Sequence, residues 1–105
     1  MEKVVVTDEG VSRHVRRLLR RDLNEAIAWR DLHRVEVVSS FSIAAKDDVY
    51  FLLVDDKEHG VAVGLSDALA TGLFERLQRL SGFDNRAATE AAGAAMRAVL
   101  WSRED

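Results

Sequence analysis

The chain contains no cysteine and no proline. Without cysteine there is no disulfide framework, no thiolate metal site and no thiol nucleophile. Without proline, the breaks between elements must come from Gly and from clusters of Asp, Asn and Ser. Long apolar runs are missing as well. The longest, Val49 to Val54, is six residues, against roughly 20 for a membrane-spanning helix. No apolar stretch follows a basic segment near the start, so no signal peptide and a cytoplasmic location are expected.

The motifs that carry common chemistries are absent too. There is no G-x-x-x-x-G-K-[ST] or G-x-G-x-x-G loop to cradle phosphate with backbone N–H groups. His14, His33 and His59 are scattered, without the H-x-x-x-H spacing that sets two ligands on one helical face. No serine sits in a G-x-S-x-G elbow. The paired carboxylates Asp47-Asp48 and Asp55-Asp56 flank an apolar strand in polar segments. There both members of a pair stay ionised, rather than dividing the acid and base roles. The expectation is a protein that is not an enzyme and holds no metal or cofactor.

What is present suits one globular domain spanning residues 1–105. Hydrophobic residues make up 48% of the chain and charged residues 31%, a balance that supports a core rather than disorder. The net charge of −3 is unevenly spread. Between Arg13 and Arg34, seven Arg face Asp22, Glu25 and Asp31, a net +4. Between Lys46 and Glu58, two Lys face Asp47, Asp48, Asp55, Asp56 and Glu58, a net −3.

Local pattern gives a mixed α+β reading. Lys3 to Thr7 is a strand on its three valines, followed by a turn at Asp8-Glu9-Gly10. Val35 to Ile43 alternates as a half-buried strand. Val49 to Val54 reads as a central strand and Val61 to Leu65 as its hairpin partner. Ser66 is placed to cap a helix carrying Leu69, Leu73, Phe74, Leu77 and Leu80 on one face, stopped at Ser81-Gly82. Asp84 or Asn85 can cap a further helix. Two segments stay open: residues 11–27 have helical spacing but compete with a hairpin, and residues 96–101 fit either helix or strand. Trp29 and Trp101 are expected to be largely buried.

Several segments, read in order, resemble a group of small stand-alone bacterial proteins of unassigned function. They are Val4 to Val11, Trp29 to Val37, Asp48 to Leu53, Gly60 to Val63, and Phe74 to Asn85, with Trp101 near the end. The run E-R-L-Q-x-L-x-G-F-D-N is the most specific piece. The resemblance implies an antiparallel, pleckstrin-homology-like β-meander closed by C-terminal helix. It also implies that Val11 to Arg17 pairs back on the first strand, and that Asn24 to Trp29 is a strand leading into a turn at Arg30-Asp31-Leu32. This chain departs from the group at Arg16 to Asp22, which lacks the Gly or Pro of the group's hairpin. The meander is retained as the fold. The group brings no catalytic residues.

Two binding surfaces follow. The acidic residues Asp47, Asp48, Asp55, Asp56 and Glu58 are candidates to meet a basic partner protein, as an immunity-type inhibitor would. The basic residues Arg13, Arg16, Arg17, Arg20 and Arg21 are alternative candidates for nucleic acid or anionic lipid. If helical, Arg13, Arg16, Arg17 and Arg20 share a face. No aromatics for base stacking are interleaved among them.

Overall fold

A computed structural model describes residues 2–39, 49–91, 93 and 96–103. Among them, seven antiparallel strands form two sheets, accompanied by three short helices. The first sheet is a meander of β1 (Glu2–Val6), β2 (Gly10–Val15) and β3 (Leu23–Ala28). A single 3-10 turn, Trp29–Asp31, leads to the second sheet. That sheet has the order β6-β5-β4-β7, from β4 (Arg34–Ser39), β5 (Val49–Val54), β6 (Gly60–Gly64) and β7 (Met96–Ser102). Helices α1 (Leu65–Ala70), α2 (Leu73–Gln78) and α3 (Asn85–Ala91) lie between β6 and β7.

Three expectations change, and one open alternative closes. Residues 11–27 are not the alternative helix but the β2–β3 hairpin that the resemblance implied, with β2 paired back on β1. Val11 pairs with both Val6 and Ile27, and Arg13 pairs with both Val4 and Glu25, so inward side chains recur every second residue. The apparent helical spacing comes from joining two period-2 strands across a loop that also contains leucines. The helices are not C-terminal, because residues 96–101 form a strand paired with β4. The helix expected from Ser66 onward is two helices, broken where Gly72 takes a φ of +78°, a left-handed conformation that suits glycine. The first of them has Gly64 as its N-cap, so Ser66 lies inside the helix rather than at the capping position. The second cap was legible: the Asp84 carboxylate accepts the Ala87 N–H at 2.9 Å. Residues 40–43, the end of the strand expected from Val35, lie outside the described residues.

One core joins the two sheets. The four-stranded sheet contributes Val35, Val37, Phe51, Leu53, Val61, Val63 and Leu100, and the meander adds Val11 and Ile27. The helices close it with Leu73, Leu77 and Ala91, and Phe83 from the segment before α3 joins them. Between Val35 and Glu36 the register with β7 shifts, so Val35 faces Trp101 while Glu36 faces Val99. The extra residue, Leu100, turns inward and is 2% exposed, as a bulge allows. Neither tryptophan is fully buried. Trp29 donates its indole N–H to the Thr7 carbonyl at 2.8 Å, and Trp101 donates to the Ser81 carbonyl at 3.0 Å. Each indole keeps its polar edge at the rim because that N–H needs an acceptor.

Candidate functional site

The β2–β3 hairpin is a finger whose base and tip differ in chemistry. At the base, Arg13 faces inward between two carboxylates. Its Nε donates to Glu2 Oε1 and its Nη1 to Glu25 Oε1, both at 2.9 Å. Glu25 Oε1 also accepts the Ala62 N–H at 3.4 Å, which ties the finger to the edge of β6. On the opposite face His14 contacts both Asn24 and Asp22, the latter at 3.3 Å. Arg13 is therefore part of the scaffold, and its charge is neutralised within the fold.

The tip is residues 16–22. Arg16, Arg17, Arg20 and Arg21 are all exposed, and against Asp22 they leave a net charge of +3 in seven residues. Arg17 Nε donates to the Arg21 carbonyl at 2.9 Å, which folds the loop across itself. At its apex Leu18 is 89% and Leu19 is 96% exposed. Leu19 has a φ of +63°, a conformation that costs a branched L-residue roughly 1–2 kcal/mol. Of the five expected basic residues, the structure brings four to one loop and places Arg13 elsewhere. The two leucines lie within residues 11–27, where the helical spacing counts them among its apolar positions. The signal that could have singled them out is their position between two Arg-Arg pairs in a loop without Gly or Pro.

The acidic surface is arranged otherwise. Asp47 and Asp48 lie outside the described residues. The Asp55 carboxylate accepts the backbone N–H groups of His59 and Lys57 at 2.9 and 2.8 Å. The first of these bonds in particular lowers its pKa, and both shape the turn. Glu58 receives two donors from the Arg34 guanidinium, which lower its pKa. Asp56 remains exposed, beside a mixed-charge depression lined by Arg30, Asp31, His33 and Arg103. There Arg103 Nε donates to the Leu32 carbonyl at 2.8 Å.

A further charged cluster was not foreseen. Glu36 lies on the outer face of the four-stranded sheet, its side chain only 7% exposed. It accepts Arg97 Nε at 2.8 Å and Arg34 Nε at 2.7 Å. Arg97, with Arg34 assisting, holds the Glu36 pKa below the ordinary carboxylate value, against the opposing effect of burial. Among the described residues, every buried side-chain nitrogen and oxygen has a hydrogen-bond partner. Among them, no group of three or more His, Asp and Glu is arranged around a metal position. No described helix is long and apolar enough to cross a membrane.

The chain matches no family model, no curated protein and no solved structure. What the finger does has to be read from its own chemistry. An exposed tip with four guanidinium groups and two bare leucines can bind an anionic surface that also accepts apolar side chains.

Proposed function

We propose that this protein is a non-enzymatic binding domain whose contact element is the β2–β3 finger, and that the finger takes an anionic partner. One observation carries the reading: Arg16, Arg17, Arg20 and Arg21 are all exposed on one loop, while Arg13 is neutralised at its base. A cytoplasmic setting and a pleckstrin-homology-like kinship belong to the same proposal. The kinship is supported by seven antiparallel strands in sheets of three and four. The position of the helices before the last strand counts against it.

The immunity-type reading, with an acidic loop meeting a basic protein, has less behind it. Asp55 and Glu58 are engaged within the fold, leaving Asp56 as the exposed carboxylate of that loop without a partner among the described contacts. Chromatography on heparin separates the two readings. A chain of net charge −3 is expected to be retained there only through a local basic surface. Retention should shift to lower salt in Arg20→Ala/Arg21→Ala and stay unchanged in Asp56→Ala. Passage of the unaltered protein without retention would remove the finger as an anion-binding element.

A further inference from the structure

We propose that the finger docks onto an anionic lipid bilayer, with Leu18 and Leu19 entering the acyl boundary and the flanking arginines meeting headgroup phosphates. The inference rests on the reading above, in which the finger is the contact element, and adds what it contacts. Five large hydrophobic side chains are exposed among the described residues: Val5, Leu18, Leu19, Leu69 and Val99. Only Leu18 and Leu19 are adjacent, and they are the most exposed of the five.

The order of residues along the tip matches the layering of a membrane surface. Arg16-Arg17 and Arg20-Arg21 flank the apex on both sides, and the apex itself is Leu18-Leu19. Apolar side chains at the apex reach deepest, while long basic side chains around them stay at headgroup level. Phosphates attract the guanidinium groups, and the acyl boundary removes two leucines from water.

The apex leucines also oppose local preference twice at one position. A loop residue with positive φ favours Gly or Asn, and a fully exposed loop tip favours a polar side chain. Residue 19 is neither, with a φ of +63° and 96% exposure. A surface that buries Leu19 on contact accounts for the side chain that local stability does not. Behind the tip, the Glu2–Arg13–Glu25 contacts and the Glu25 link to Ala62 give the finger a fixed base from which to project.

Nucleic acid would engage the same arginines but leave the leucines without a role. The finger carries no Phe, Tyr or Trp on which a base can stack. A bilayer uses both halves of the tip.

The test is flotation of the full chain with vesicles of phosphatidylcholine containing about 30 mol % phosphatidylserine, at about 0.15 M salt. The protein should float with these vesicles and not with pure phosphatidylcholine. Arg20→Ala/Arg21→Ala should lose about fivefold in partitioning per residue. Leu18→Ser/Leu19→Gly should lose about a hundredfold while keeping its retention on heparin. No flotation with the anionic vesicles, or flotation indifferent to the leucines, would overturn bilayer docking while leaving the finger as an anion-binding element. So would oligonucleotide binding, tighter than to vesicles and insensitive to the leucine changes. Loss of heparin retention in the unaltered chain would instead overturn the underlying reading.

Discussion

Glu36 illustrates how much one side chain holds in place. Its carboxylate bridges Arg34 on its own strand and Arg97 on β7, and Arg34 continues to Glu58 in the β5–β6 loop. Replacing it with Gln removes the negative charge and leaves one acceptor oxygen for two guanidinium groups, costing about 2 kcal/mol. The pH dependence has a definite sign. A carboxyl whose folded pKa lies below its unfolded value stabilises the fold above that unfolded value, and the stabilisation is lost as pH falls through the lowered folded value. From the ordinary value of 4.5 downward, the urea midpoint should fall more steeply in the unaltered protein than in Glu36→Gln. Equal slopes would show that the Glu36 cluster does not contribute. Leu19 gives the opposite kind of prediction. Leu19→Gly relieves the left-handed strain at the cost of a more flexible unfolded chain, for a net gain of about 0.5 kcal/mol, or about 3 °C in Tm. A scanning calorimeter showing a lower Tm would mean that Leu19 packs against something within the fold.

At the scale of elements, the strands with unbroken apolar patterns were legible from pattern alone, whereas β2 and β3 were reached only through the resemblance, which implied both. Val49 to Val54 and Val61 to Leu65 announce a buried hairpin because every inward position is apolar; the first forms as expected, and the second runs Gly60–Gly64, with Leu65 opening α1 instead. In β2 and β3 the inward rows read Val11, Arg13, Val15 and Leu23, Glu25, Ile27. An ion pair between Arg13 and Glu25 occupies the middle of each row, which erases the alternation a strand needs to be seen. The same pair hid the division of the basic segment into scaffold and tip. Val99-Leu100-Trp101 was ambiguous for a different reason, since the bulge places Leu100 and Trp101 both toward the core. The β5–β6 hairpin also shows where the sequence has no freedom. A Cβ on Gly60 would sit 1.7 Å from the Leu53 carbonyl oxygen, a backbone atom that cannot move without opening the pair. Gly60→Ala should therefore cost about 3 kcal/mol, read as a lower urea midpoint with an unchanged m-value. A midpoint within error of the original would mean that the two strands approach less closely than described.

Across the whole molecule, burial is unequal between the sheets. The four-stranded sheet and the helices supply most of the buried side chains, whereas the meander places only Val11 and Ile27 fully in the core. Beyond that row the finger is held by the Arg13 contacts, by ladder hydrogen bonds and by half-buried Val15 and Leu23. Free energy of opening follows buried apolar contact, so the two sheets need not open together. Amide hydrogen exchange should place Val35–Val37 and Phe51–Leu53 among the slowest sites, exchanging through global unfolding. Arg13–Val15 and Leu23–Glu25 should exchange faster, through an opening that leaves the core intact. That separation matters for a docking finger, because the tip can adjust to a surface without drawing on the stability of the sheet behind it. Arg13→Ala sharpens the point: the finger amides should exchange faster still, while those of β5 keep their protection. Equal acceleration in both sheets would show that the molecule opens as one unit and that Arg13 belongs to the same cooperative core.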